Sequence, residues 1–382
     1  MIPYGRQDIR QEDIDAVTAV LRSDFLTQGP VVPRFERQLA DRVDAGHGVA
    51  CNSATSALHV ACLALGVGPG EIVWTSANTF VASANCARYC GATVDFVDVD
   101  PETGNMSVAA LRVKLEVAAH DGQIPRVVIP VHFAGQPCDM GAIGELADEY
   151  GFSVIEDASH AIGGNWHGDP IGSGRHSDIT VFSFHPVKII TTGEGGMAVT
   201  NDAGIAEHMS LLRSHGVTRD PGCMSREPDG PWYYEQIELG FNYRLTEIAA
   251  ALGESQLARL DDYVERRRAL AKRYDRLLSG LPCRPLARTP GAESAWHLYV
   301  VRLDDPVRRR SVFDALRHRD IGVNVHYIPV PSQPDFARLG FDMSDFPGAA
   351  SYYAGAMSLP LHPGLSEGDQ DRVVSALREA LA

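Results

Sequence analysis

A chain of 382 residues, 45% hydrophobic and 22% charged, has the composition of an ordinary globular protein and enough length for a large core, with two domains the natural expectation. A net charge of −15 without any long lysine or arginine block argues against a non-specific nucleic-acid or anionic-membrane surface, so any phosphate must be held locally. No window approaches the roughly 18 uninterrupted apolar residues of a membrane span, and residues 1–10 lack a basic segment leading into an apolar stretch, so a cytoplasmic location is expected.

Along the chain, short β-rich runs recur at 49–51, 72–75, 93–97, 127–131, 153–156, 179–183 and 197–200, and most of the gaps carry helix-period segments such as 56–65. Most of the runs are continuously apolar, as expected of mainly parallel strands covered by helices on both faces. The fold class is therefore α/β, with one seven-stranded sheet whose ligands gather at the strands' carboxyl ends. From about Thr246 the texture changes. Residues 246–277 form one long charged amphipathic stretch with Leu252, Leu257, Leu260 and Val264 on its apolar face. Strand-like runs at 298–303 and 323–327 and a helix-like run at 369–381 follow. The expected division is a large domain with an N-terminal arm over 1–245 and a smaller α+β domain over 246–382. The seven cysteines, Cys51, Cys62, Cys86, Cys90, Cys138, Cys223 and Cys283, include no C-x-x-C pair and are odd in number, which argues against a disulfide framework or a zinc site; no metal is expected.

Four motifs carry chemistry. Asn52-Ser53-Ala54-Thr55-Ser56 follows a short strand and opens an apolar helix, which exposes backbone N–H groups to an anion; Ser53 as a plain helix cap explains the same residues. Asn78-Thr79-Phe80 lies beyond the 72–75 run, where Phe80 either stacks on a flat ligand or packs as core. Asp157 closes an apolar run, as a chemical carboxylate or as a helix cap, with His160 three residues on. The fourth is Ser183-Phe184-His185-Pro186-Val187-Lys188, followed by Thr191-Thr192-Gly193-Glu194-Gly195-Gly196. Apart from His185, Lys188 is the one charged residue from 179 to 193. A partly desolvated lysine has a lowered pKa and attacks carbonyls as the neutral amine. One lysine and one carboxylate beyond neighbouring strands are what pyridoxal 5′-phosphate (PLP) needs: the lysine for its aldehyde, the acid for its pyridinium nitrogen. The glycines at 193–196 lack the GK[ST] element of a nucleotide loop and read as a tight turn.

Together with Gly240-Phe241-Asn242-Tyr243-Arg244, these ordered motifs resemble the DegT/DnrJ/EryC1/StrS family of sugar aminotransferases, almost from end to end. The resemblance implies a fold-type I PLP transferase working as a homodimer with active sites at the subunit interface. It implies that Lys188 bonds the cofactor, Asp157 pairs with its ring nitrogen, Phe80 stacks on the ring and His160 contacts the phenolic oxygen. Ser53, Ala54, Thr55 and Ser183 would hold the phosphate, helped by Asn242 from the partner subunit. Family members with histidine in place of this lysine act as dehydratases, so Lys188 favours transamination.

Within the family, Pro3-Tyr4-Gly5-Arg6-Gln7, the 23–30 stretch, Trp74-Thr75-Ser76 and 325–330 resemble the transaminase branch of pseudaminic acid biosynthesis. That branch uses L-glutamate to aminate the C4 ketone of a UDP-linked 4-keto-6-deoxy-N-acetylhexosamine, giving UDP-4-amino-4,6-dideoxy-N-acetyl-β-L-altrosamine. Tyr4, Leu26, Thr27, Gln28, Gly29, His185, His326, Tyr327, Ile328 and Pro329 would then line the sugar-nucleotide site, although Thr27-Gln28-Gly29-Pro30 is also a plain turn and Tyr327 equally a core residue. Arg213, His215, Arg219 and Arg226 are candidate cations for the pyrophosphate. A relative acting at C3, or on a dTDP- or GDP-linked sugar, is the competing enzyme. A binding module of another class, holding PLP or sugar nucleotide without turnover, would be free to lose Lys188.

Overall fold

The computed structural model describes all residues from Met1 to Ala382. Its central sheet takes seven short strands in chain order: β1 His47–Cys51, β2 Ile72–Ser76, β3 Thr93–Val97, β4 Val127–Ile129, β5 Ser153–Asp157, β6 Ile179–Ser183 and β7 Gly196–Thr200. They lie side by side as β1-β7-β6-β5-β4-β2-β3. All run parallel except β7, which is antiparallel to both its neighbours. Because side chains alternate across a strand, Trp74, Val128, Val154 and Phe182 enter one core while Val73, Val127, Ile155 and Val181 enter the other.

Helices close both faces. On the first lie α1 Gln11–Leu21, α2 Val31–Arg42, α5 Val108–Asp121, α6 Met140–Tyr150 and α8 Glu247–Leu257; on the second lie α3 Ala54–Ala64, α4 Ala82–Tyr89 and α7 Ala203–Leu212. Several starts are capped by a side-chain oxygen on a first-turn amide: Ser53 for α3, Ser107 for α5, Asp139 for α6, Asp202 for α7 and Thr246 for α8. Glu247 also reaches back to the amides of Val31 (2.7 Å) and Val32 (3.1 Å), tying the start of α2 to α8.

The 246–277 stretch is two helices rather than one. It breaks at Ala258 and Arg259 before α9, Leu260–Leu277. The side chains around this break converge on the buried carboxylate of Asp13: Arg259 donates at 2.7 Å, Ser255 at 2.6 Å and Gln256 at 2.8 Å. Local periodicity carries no trace of a partner so far away in the chain. Up to Val264 the apolar face of α9 packs in the first core, whereas Leu270, Ala271 and Tyr274 belong to a C-terminal core with Tyr299, Val312, Met357 and Leu377. Packing thus passes from one core to the other inside α9. The C-terminal core covers a three-stranded antiparallel sheet of β8 Cys283–Pro285, β9 Tyr299–Leu303 and β10 Ala356–Leu359, flanked by α10 Arg309–His318 and, after α11 Pro334–Ala337 and α12 Pro347–Gly355, by α13 Glu367–Leu381.

The run 323–327 is not a strand; it keeps a single bridge from Asn324 to Ser358, and β10 is the third strand instead. Side chains divert its backbone donors: the Val325 amide goes to Asn324 Oδ1 (2.8 Å) and the Tyr327 amide to Asn78 Oδ1 (3.2 Å). No helix is long and apolar enough to cross a membrane.

Candidate active site

A cavity of about 850 Å³ opens at the carboxyl ends of the sheet, where α3 begins, and the residues after β2, β5 and β6 form its walls. Lys188 reaches it from the connection between β6 and β7, which is pinned at its base by Phe184 N–H to the Gly195 carbonyl (2.9 Å) and Thr192 N–H to the Phe184 carbonyl (3.0 Å). Burial lowers the Lys188 pKa to about 8, against a smaller upward pull from the Asp157 charge. At pH 7 about one amine in ten is then neutral, where an ordinary lysine offers fewer than about one in a thousand.

Asp157 ends β5 and is buried. Its Oδ1 accepts from the Ser159 amide (3.0 Å) and its Oδ2 from the Ser83 hydroxyl (2.6 Å). Glu156, one residue earlier, points to the opposite face and accepts from His132 Nε2 (2.6 Å), Thr180 (3.1 Å) and Ser177. The Cys138 amide donates to His132 Nδ1 (3.1 Å), which leaves the His132 proton on Nε2.

At the mouth of α3, the Ser53 hydroxyl accepts from the Ser56 amide (3.1 Å), so Ser53 caps the helix. The amides of Ala54 and Thr55, in the same first turn, have no carbonyl to bond within the helix and are available to an anion. Gly196 at the start of β7 lies against this turn: a Cβ there would stand 2.4 Å from the Ala54 nitrogen.

Three buried imidazoles line the wall facing Lys188. His160 stands with its ring 4.3 Å from that of His297, and its Nε2 pairs with the Tyr327 hydroxyl at 3.0 Å. His326 Nδ1 pairs with Ser358 at 2.8 Å. Burial first, and neighbouring positive charge second, holds His326 at about 4 and both His160 and His297 well below the ordinary imidazole value. All three are neutral at pH 7. His160 Nδ1 and His297 Nδ1 are buried without a hydrogen-bond partner. Phe80 is 58% exposed, with its ring 6.1 Å from that of Tyr327, so one aromatic face is free within the cavity.

The cavity therefore brings together Tyr4, Ser53, Ala54, Thr55, Phe80, Asp157, His160, Ser183, His185, Lys188, His326 and Tyr327. Leu26, Thr27, Gln28, Gly29, Asn242, Ile328 and Pro329 are not in its wall. Leu26 accepts from the Glu247 amide, and Asn242 accepts from Asn52 through its carbonyl at 3.4 Å. Among the candidate cations, Arg213 is paired with Glu36 and the Ala50 carbonyl, Arg226 with Asp229 and Tyr233, and Arg219 lies over the Tyr234 ring; neither they nor His215 line the cavity. His297 and Asn324 also line the cavity and Ser83 backs Asp157, and none of the three belongs to a sequence motif named above. A histidine inside the apolar run Ala295-Trp296-His297-Leu298, and two hydroxyls four residues apart at Thr79 and Ser83, were the available signals.

The donor set fits PLP: an amine for the aldehyde, a buried carboxylate for the ring nitrogen and free helix amides for the phosphate. This is the site and sheet of a PLP-dependent transferase. The family model of the DegT/DnrJ/EryC1/StrS aminotransferases matches residues 7–378, and the chain belongs to that family of PLP-dependent sugar aminotransferases. It is similar to the spore coat polysaccharide biosynthesis protein SpsC of Bacillus subtilis (strain 168), 40% identical over 99% of this chain and 96% of SpsC. Among solved structures, Spr1654 of Streptococcus pneumoniae in its pyridoxamine phosphate (PMP) form superposes with a TM-score of 0.90 at 31% identity over 100% of this chain and 99% of that one, and a PLP form is also solved. Helicobacter pylori PseC, an aminotransferase involved in the biosynthesis of pseudaminic acid, superposes with a TM-score of 0.90 at 29% identity over 100% and 99% of the two chains.

Proposed function

We propose that this chain moves the amino group of L-glutamate to the C4 ketone of a UDP-linked 4-keto-6-deoxy-N-acetylhexosamine, giving UDP-4-amino-4,6-dideoxy-N-acetyl-β-L-altrosamine. The observation that carries the transfer chemistry is the cavity shared by a lysine of lowered pKa, a buried carboxylate and the free amides of α3. The choice of sugar is supported by the end-to-end likeness to PseC.

When bound, PLP supplies an electrophilic carbon and an electron-withdrawing ring that let nitrogen pass between donor and acceptor. In this reading Lys188 would hold the aldehyde carbon until the donor's amine displaces it, and its freed amine would then take a proton from the donor's α-carbon and later deliver one to the sugar's C4. Asp157 keeps the ring nitrogen protonated. Ala54, Thr55 and Ser183 hold the phosphate, His160 the phenolic oxygen and Phe80 a ring face, while Tyr4, His185, His326 and Tyr327 contact the sugar.

We further propose a homodimer with shared sites. Trp232 (72% exposed), Tyr234, Ile237 and Leu239 (77% exposed) are four exposed apolar side chains within the ten residues before Asn242, and exposed apolar side chains are what a second copy would cover. Asn242, the 26–29 turn and Arg219 would then serve the partner's cavity.

The 40% identity to SpsC favours a second reading, in which another nucleotide-linked keto sugar is aminated for a surface polysaccharide. Amino transfer from glutamate across UDP-, dTDP- and GDP-linked 4-keto sugars, with 2-oxoglutarate measured, decides between them. Turnover of a dTDP sugar with an inert UDP-N-acetyl substrate would refute the first.

A further inference from the structure

We propose that Thr79 and Ser83 form a two-hydroxyl relay that positions Asp157 and drains charge from it, so that the proton Asp157 shares with the cofactor's ring nitrogen stays on the nitrogen. The inference rests on the assignment of Asp157 to the PLP ring nitrogen.

Both hydroxyls are buried. Thr79 sits just beyond β2 and Ser83 in the first turn of α4, one helical turn on, which brings their oxygens to 2.8 Å. Ser83 Oγ is also 2.6 Å from Asp157 Oδ2. Each hydroxyl has one hydrogen, and an ionised carboxylate can only accept. The Ser83 hydrogen therefore goes to Asp157, since its other acceptor, the Phe80 carbonyl, is at 3.5 Å. Ser83 oxygen is left to accept from Thr79, and the relay runs one way, Thr79 to Ser83 to Asp157.

Donors in series polarise each other, and a bond to an ionised acceptor is among the stronger ones. With the Ser159 amide on Oδ1, each carboxylate oxygen is held by one protein donor, which fixes the plane of the group. A carboxylate that already accepts a short O–H bond is a weaker base towards a third partner. Ser83 does not line the cavity and acts only through Asp157, as a positioning residue.

The test uses holoenzyme loaded with PLP labelled with ¹⁵N in its ring. In Ser83→Ala the ring ¹⁵N resonance is expected to move towards the unprotonated position. The kcat should fall about tenfold with the sugar's KM unchanged, because the lost bond acts on the ring and not on substrate binding. Thr79→Val, which keeps the side-chain shape and the Ser83 hydroxyl, should give the same displacement at reduced size and about a threefold loss in kcat. An unmoved ¹⁵N signal in both variants, with cofactor still bound at Lys188, overturns the inference and leaves the site assignment standing. A shift in Ser83→Ala alone overturns the relay from Thr79. Should Ser83→Ala not fold, the isosteric Thr79→Val decides. Wild-type cofactor attached elsewhere than Lys188 would instead bring down the site assignment itself.

Discussion

Lys188 should cost the cofactor-free protein stability, and by an amount that depends on pH in a definite direction. Its amine titrates at about 8 in the folded protein and at the ordinary 10.5 in the unfolded chain. Below pH 8 both states are protonated and the folded state bears the full cost of an enclosed ammonium. Between 8 and 10.5 the unfolded chain binds more protons than the folded one, so stability rises with pH; above 10.5 the cost is gone. A gap of about 2.5 units at about 1.4 kcal/mol each sets an upper limit of about 3.5 kcal/mol. Lys188 is only half-buried against the cavity, where water screens it, so about half of that limit is expected. The perturbation is Lys188→Met, which keeps the length and removes the charge. Urea unfolding of both cofactor-free proteins from pH 7 to 10.5 should find the variant more stable by about 1–2 kcal/mol at pH 7 and the gap closing as pH rises. A gap that stays constant, or that widens with pH, refutes the reasoning.

Gly196→Ala forces a methyl against the Ala54 backbone at the mouth of α3. It should lower stability by about 1–3 kcal/mol and strip the protein of PLP, read by cofactor content after gel filtration. Glu156→Gln turns one acceptor oxygen into a donor facing either His132 or the Ser177 and Thr180 hydroxyls; a loss of about 1–3 kcal/mol is expected from the urea midpoint. Leu239→Asp places a charge at an exposed apolar position of the 232–239 segment. Sedimentation should find monomers, and activity should fall with dissociation; a variant that stays dimeric and active rejects that segment as the interface.

The seven sheet strands were legible because buried parallel strands are continuous apolar runs, a signal that needs no partner to be read. The direction of β7 was not, since the periodicity of a strand is the same whichever way it runs. The break between α8 and α9 depends on Asp13, more than 240 residues upstream. The 323–327 run has strand composition, and only the side chains of Asn78 and Asn324 show why its amides leave the ladder. At the site, Lys188 and Asp157 stood out because charge in an apolar run has no packing explanation. Ser83 did not, since a small hydroxyl near a helix start is ordinary there, and Thr79 was legible only as a neighbour of Phe80.

Adjacent carboxylates make the same point at one position. Glu156 and Asp157 are consecutive, both buried and both on β5, so composition, hydropathy and spacing treat them alike. The pleat separates them, turning one to each face of the sheet. On its face Glu156 meets His132, Ser177 and Thr180, and these donors outweigh the burial that would otherwise raise its pKa, holding it below the ordinary carboxylate value. Its accepting capacity is spent inside the protein. Asp157 meets one donor on each oxygen and then the cavity, so it keeps capacity for a ligand that brings its own proton. What separates a structural acid from a chemical one is therefore the count of donors that reach it, and that count is set mostly by residues far off in the chain, Ser83 on α4, His132 after β4, and Ser177 and Thr180 at the start of β6.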